Sequence, residues 1–178
     1  MKYLIASDIH GSAYYTEKVL DRVKAENADA LILLGDIFNH GPRNPLPKDY
    51  APLKVADMLN AVKDKLFVIK GNCDSEVDTL ISEFDFLPNL AVLAGNKCCF
   101  LTHGHIYNKD NLPKQAISAL IYGHFHTGFI EKQGEILVVN AGSVSLPKNE
   151  TPSSYLILED QTIALKTIDG EVIKTAVL

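Results

Sequence analysis

Five times along this chain a short apolar run stops at a cluster of glycine, carboxylate, amide or imidazole. Leu4-Ile5-Ala6 ends in Ser7-Asp8-Ile9-His10-Gly11, and Ala30-Leu31-Ile32-Leu33-Leu34 ends in Gly35-Asp36. Leu66-Phe67-Val68-Ile69 opens into Gly71-Asn72-Cys73-Asp74, the run before Thr102 into His103-Gly104-His105, and Leu120-Ile121-Tyr122 into Gly123-His124-Phe125-His126. Short apolar runs bounded in this way read as buried strands. Between the first two lies a helical pattern over 13–26, with Val19, Leu20 and Val23 spaced among charges; a second, over 51–62, carries Val55, Ala56, Leu59 and Val62 on one face. Strand, helix, strand implies parallel pairing, and parallel sheets place ligand sites at the carboxyl ends of their strands. Fold and site are thus constrained together: the polar clusters gather along one edge. Asp8 and His10 are two apart, so in extended backbone both point to one side and Ile9 turns into the core.

The rest of the chain is consistent with an α/β class. Residues 37–52 hold Pro42, Pro45, Pro47 and Pro52 with Asn39, His40 and Arg43, which is a loop. A strand over 66–69 is followed by a helix predicted over 75–84, with Asp74 or Ser75 as N-cap. From residue 91 the pattern changes to short strands, over 91–93, 97–102, 120–122, 128–131, 136–139, 155–159, 162–168 and 172–177. Gln133-Gly134 and Asp169-Gly170 are hairpin turns. Two sheets packed face to face with helices outside accommodate both halves as a single domain over 1–178.

Composition narrows the chemistry. Seventeen Lys and Arg against twenty-two Asp and Glu give a net charge of −5, which disfavours long nucleic acid because backbone binding needs a basic footprint. A small anionic substrate held by metal ions stays open. The amino terminus lacks the long apolar segment of a secretion signal, and no run approaches the ~18 residues of a membrane helix. Cys73, Cys98 and Cys99 form neither a disulfide framework nor a thiolate zinc pattern, so the expected compartment is the cytoplasm.

Asp8-x-His10, Gly35-Asp36, Gly71-Asn72-Cys73-Asp74, His103 and Gly123-His124-Phe125-His126 occur in the order that marks the calcineurin-like metallophosphoesterases, which this chain resembles from about Tyr3 to Ser145. Within that superfamily, Gly35 to Arg43, Gly71 to Asp74 and Asn140-Ala141-Gly142-Ser143 are similar to the small bacterial phosphodiesterases of the YfcE type. The resemblance implies a four-layer αββα sandwich of two mixed sheets and a two-metal centre that hydrolyses phosphodiesters through a hydroxide bridging the metals. Carried over residue by residue, Asp8, His10, Asp36 and His126 hold one ion, and Asp36, Asn72, His103 and His124 the other. Such a mixture of nitrogen and oxygen donors suits Mn²⁺, Zn²⁺, Ni²⁺ or Fe better than Ca²⁺ without ranking them, and the resemblance makes Mn²⁺ the expected ion.

Other residues carry two readings each. His40 and His105 are either ordinary surface or core histidines or contacts to substrate, and Arg43 is a solvated loop charge or a phosphate contact. Asp74 belongs to the site or caps a helix. Cys73 stands where many relatives of the resembled family carry a histidine able to protonate the leaving group. A thiol is a poorer acid–base match near pH 7, so activated phosphodiesters should turn over better than alkyl monoesters. Alternatively Cys73 is a small buried filler. Ser143 reads as a turn residue, and Tyr14-Tyr15 or the proline loop as a candidate subunit contact in a homo-oligomer. Two other functions compete: a non-catalytic scaffold of the same fold that binds proteins, and a metal-dependent amidohydrolase. The latter usually needs a barrel of ~250 residues with His-x-His on its first strand, where this chain has Asp-x-His.

Overall fold

The computed structural model describes residues 1–178. The chain runs β1 (Lys2–Ala6), α1 (Ala13–Ala25), β2 (Ala30–Leu33), α2 (Pro52–Asn60), β3 (Leu66–Ile69), β4 (Phe86–Leu87), β5 (Leu90–Ala94) and β6 (Lys97–Leu101). It continues through β7 (Ala119–Tyr122), β8 (Gly128–Gln133), β9 (Ile136–Ala141), β10 (Ser154–Glu159), β11 (Thr162–Thr167) and β12 (Val172–Val177). One sheet has the order β12-β11-β10-β1-β2-β3-β4 and the other β5-β6-β7-β9-β8. Both are mixed. β1, β2, β3 and β4 pair in parallel, with Ile5 opposite Ile32, and β6, β7 and β9 are likewise parallel.

Side-chain alternation explains why β1 and β2 read as unbroken apolar runs. Leu4, Ala6, Leu31 and Leu33 face the helices, packing with Val19 of α1 and Val55 and Leu59 of α2. Ile5, Ile32 and Leu34 point the other way, into a core shared with Leu101, Ile121, Val139, Leu156 and Leu165. A strand covered on both faces has no polar side to show. The outer face of the second sheet (Phe100, Leu120, Tyr122 and Val138) is covered by Tyr107, Leu112 and Ile117. The 104–118 segment supplying them has no α-helix, so this fourth layer is irregular chain.

α1 starts at Ser12, whose Oγ accepts the Tyr15 N–H, and ends with Arg22 and Lys24 near its exposed carbonyls. Beyond it, Glu26 fastens the helix to the sheet: the Tyr155 hydroxyl donates to Oε1 at 2.6 Å and Lys166 forms an ion pair with the same oxygen. Burial would raise the Glu26 pKa, but the Lys166 and Tyr155 bonds outweigh it and hold the group below its ordinary 4.5. A depressed carboxylate stabilises the fold above its unfolded pKa and loses that contribution as pH falls through the folded value. Glu26→Gln should therefore lower stability by about 2 kcal/mol at neutral pH, with the gap to wild type closing near pH 3, as read by urea denaturation at both pH values.

The helix predicted over 75–84 is instead a short 3₁₀ segment, Glu76–Leu80. The reason lies at its start. Asp74 turns inward to the site, while Asp78 accepts the Ser75 N–H at 2.7 Å, closing a compact turn before the chain leaves for β4. The Tyr14-Tyr15 pair is half-buried: Tyr15 packs on the helix-side core and the Lys48 ammonium lies 3.5 Å from the Tyr14 ring centroid. No helix is long and apolar enough to cross a membrane.

Candidate metal centre

Five parallel strands, three from one sheet and two from the other, deliver the candidate donors at their carboxyl ends. Asp8 and His10 follow β1, Asp36 follows β2 and Asn72 follows β3; His103 follows β6, and His124 and His126 follow β7. The loop after β9 closes behind them, with Ser143 and Ser145 each donating through Oγ to the Asp8 carbonyl at 2.8 Å. Asn140 donates to the Gly123 carbonyl at 2.7 Å and accepts the Gly142 N–H. Ser143 is thus a turn residue, as expected, with no nucleophile's geometry.

The local backbone differs from the extended arrangement expected for Asp8 and His10. β1 stops at Ala6, and Asp8, His10, Asp36, His124 and His126 all adopt left-handed conformations, with φ between 52° and 62°. Side chains rarely sit there, at about 1 kcal/mol or more each, and such strain concentrates at functional sites. The loops also approach closely. A Cβ on Gly123 would lie 1.9 Å from Ser7 Oγ and 2.6 Å from Asp8 Oδ2, and one on Gly71 would lie 2.2 Å from Asp36 Oδ1. Only glycine fits at these two positions.

Asp8 Oδ2 accepts Ser7 Oγ at 2.6 Å and the His124 N–H at 2.9 Å, whereas buried Oδ1 has no hydrogen-bond partner and faces His126 Nε2 at 3.2 Å and His10 Nε2 at 3.6 Å. The two imidazole Nε2 atoms lie 3.2 Å apart. Their Nδ1 atoms bond the Asn39 and Leu146 carbonyls, both at 2.7 Å. Carbonyl partners assign the proton to Nδ1, so both Nε2 lone pairs face one another and the orphaned carboxylate oxygen. A cation between them resolves what would otherwise be a cluster of acceptors. His103 is built alike: Nδ1 bonds the Leu34 carbonyl at 2.8 Å, and Nε2 lies 3.0 Å from Asn72 Oδ1, 3.2 Å from His124 Nδ1 and 3.5 Å from Asp36 Oδ1.

Two donor groups emerge, Asp8 with His10 and His126, and Asp36 with His103 and His124, the ligand atoms in each lying within 4.8 Å of one another. Asp36 also comes within the same limit of His10 and Cys73. Burial opposes ionisation of Asp8, but the His10 and His126 imidazoles outweigh it and hold the carboxyl well below the usual range. Burial, then the neighbouring His103, lowers His124 to about 4, so it stands as a neutral donor.

Asp74 sits behind this arrangement. Its Oδ2 accepts the N–H groups of Asp36 at 2.8 Å and Gly71 at 2.7 Å, and its Oδ1 that of Ile37 at 2.8 Å. It pins the loops after β2 and β3 together, and burial raises it to about 6 against the pull of those bonds. Cys73 donates its N–H to Asp36 Oδ1 at 2.8 Å, and burial, then the Asp36 charge, pushes its thiol up to about 12.

In front lies an open cleft of about 470 Å³. Asp36, Asn72, Cys73, His124 and His126 form its floor, and Arg43 and Asn44 one wall. Phe125 and Lys148, neither singled out from sequence, line it as well. Lys148 arrives because the chain after β9 folds back on the site, its N–H bonding the His126 carbonyl at 2.9 Å. His40 does not line the cleft; its ring packs edge-on against Tyr50, 5.4 Å between centroids. His105 is exposed at the rim, 5.3 Å from the His103 ring.

Known proteins resemble this chain in sequence and fold. Residues 1–162 match the calcineurin-like phosphoesterase superfamily domain. The chain is 45% identical over 173 residues to phosphodiesterase YfcE of Escherichia coli K12, covering 96% of this chain and 94% of that protein. It is 30% identical over 166 residues to a probable metallophosphoesterase, YsnB, of Bacillus subtilis, covering 89% and 83%. The solved structure of the E. coli phosphoesterase YfcE superposes with a TM-score of 0.94 over 99% of both chains at 43% identity. Vps29 from Entamoeba histolytica shares the fold, with a TM-score of 0.65 at 20% identity over 100% of this chain and 99% of that one. With residues 1–162 matched to that domain and near-full-length similarity to YfcE, this chain belongs to the calcineurin-like phosphoesterase superfamily.

Proposed function

We propose that this protein hydrolyses small phosphodiesters with a pair of divalent cations, in the cytoplasm, where thiols such as Cys73 stay reduced. Asp8, His10, Asp36 and His126 hold one cation; Asp36, Asn72, His103 and His124 hold the other. The observation that carries this reading is the Asp36 carboxylate, whose Oδ1 lies 3.5 Å from His103 Nε2 while Oδ2 lies 3.8 Å from His10 Nε2. One oxygen faces each donor group. When bound, the cations supply Lewis-acid activation of a shared water, as the hydroxide nucleophile, and of the phosphoryl oxygens. Their nitrogen and oxygen donors suit Mn²⁺, Zn²⁺, Ni²⁺ or Fe, of which Mn²⁺ is the ion proposed.

The chain's own residues orient the ester. Arg43 and Lys148 border the cleft, and Asp36 is its only carboxylate, so an anion meets an attractive field in a protein of net charge −5. Hydrolysis forms one P–O bond from water, breaks one ester P–O bond and leaves an alkoxide that needs a proton. Cys73 is the side chain nearest that task, and a thiol held in protonated form is a weak acid for it. Esters whose leaving group departs unprotonated are therefore favoured. The E. coli relative named as a phosphodiesterase supports the same substrate class.

The test strips the protein with chelator, restores Mn²⁺, Ni²⁺, Zn²⁺ or Mg²⁺ separately, and compares bis-para-nitrophenyl phosphate with para-nitrophenyl phosphate. Hydrolysis should vanish on stripping and return most strongly with Mn²⁺. The diester should be cleaved at least roughly tenfold faster than the monoester, a gap of about 1.4 kcal/mol in barrier; both release para-nitrophenolate, so Cys73→His should leave that gap in place and gain instead on esters with alkyl leaving groups. Absence of hydrolysis with every cation, beside stable capture of a protein partner, would favour the scaffold alternative.

A further inference from the structure

Phe125 is the residue between the two histidines of Gly-His-Phe-His, and its side chain has no part in holding metal. Left-handed backbone at His124 and His126, φ 62° and 60°, kinks the chain on both sides of it. The kink is fixed by the Phe125 N–H, which donates to the Gly123 carbonyl at 2.7 Å. The ring is therefore displayed on the cleft with 37% of its surface open, the only phenyl ring lining it. Behind it stands Tyr122, fully buried, packed edge-on with ring centroids 5.8 Å apart and planes at 85°. A scattered exposed phenylalanine needs no explanation. One propped beside two candidate metal donors, on a cleft whose remaining lining is mostly polar or charged, presents an aromatic face that a substrate can cover without ordering it further.

We infer that Phe125 is a stacking shelf selecting phosphodiesters that carry a planar aromatic arm, such as an aryl or nucleoside ester, over those with alkyl arms only. This rests on the phosphodiesterase reading and adds to it the chemistry of the arm.

The test separates binding from turnover. Metal-loaded protein is titrated calorimetrically with phenylphosphonate and with methylphosphonate, which share the charged head and differ in the ring. Because one stacked ring is worth about tenfold in affinity, phenylphosphonate should bind roughly tenfold more tightly. Phe125→Leu should bring the ratio of the two dissociation constants below about twofold, whereas Phe125→Trp should preserve it. Metal content is measured on each variant, so a ratio lost with the metal is not counted as stacking. A ratio unchanged in Phe125→Leu, or near one in wild type, overturns the shelf while turnover of bis-para-nitrophenyl phosphate still supports the phosphodiesterase. If neither phosphonate binds and no diester is cleaved with any cation, both proposals fall.

Discussion

Asp36→Asn should reduce kcat/KM for bis-para-nitrophenyl phosphate about a thousandfold while leaving the protein folded, which corresponds to about 4 kcal/mol of transition-state stabilisation. The substitution preserves shape and one carbonyl oxygen, so the Cys73 N–H that now bonds Oδ1 at 2.8 Å keeps an acceptor. It removes the negative charge and puts an amide NH₂ at the Oδ2 position, where an oxygen faced His10. An amide cannot offer an oxygen to each of two cations. Bound metal, measured by elemental analysis, should therefore fall by about one ion per chain. A variant that keeps both its metal and its rate would show that Asp36 does not join the two donor groups.

Asp74→Asn should be costly for a different reason. Both Asp74 oxygens accept backbone N–H groups, two at Oδ2 and one at Oδ1. An asparagine must turn its own N–H₂ toward at least one of those donors, leaving it unsatisfied in a residue only 5% exposed. A destabilisation of about 3 kcal/mol follows, a melting-temperature loss of roughly 10 °C for a chain of this size. Measured in chelator-treated protein, the loss should persist, because the hydrogen bonds join loop to loop and need no metal. Activity should fall too, since the Asp36 N–H is one of the three donors. An unchanged melting temperature in the stripped protein would mean that the loops after β2 and β3 are held by something else.

Why the site was legible from sequence can be argued residue by residue. Asp8, Asp36, Asn72, His103 and His124 each follow an apolar run, and a parallel strand buried on both faces ends visibly where its apolar residues end. What alternation could not convey was how Asp8 and His10 converge. Asp and His are enriched in left-handed backbone, but too weakly for residue type to signal it at a given position, so strand alternation does not describe the kinked loop that operates here. Backbone carbonyls are invisible in the same way: nothing in the identities of Leu34, Asn39 or Leu146 says that each fixes a histidine ring. Lys148 escaped because it enters the cleft only once the chain after β9 folds back, and of the two readings open for His40 the packing favours the ordinary one, its ring lying edge-on against Tyr50 away from the cleft lining. Of the two N-caps expected for a helix over 75–84, Asp74 is committed to the loop after β2, and Ser75 caps only the short 3₁₀ segment, closed by Asp78.

The donor set straddles a seam. Asp8, His10, Asp36 and Asn72 hang from the seven-stranded sheet, and His103, His124 and His126 from the five-stranded one. Any ion gripped from both sides acts as a rivet through the lips of the sandwich, resisting the shear by which two layers slip over an oily interior. Chemistry and mechanical cohesion then share the same few bonds, and mass action on the ion stiffens the whole rim rather than a single loop.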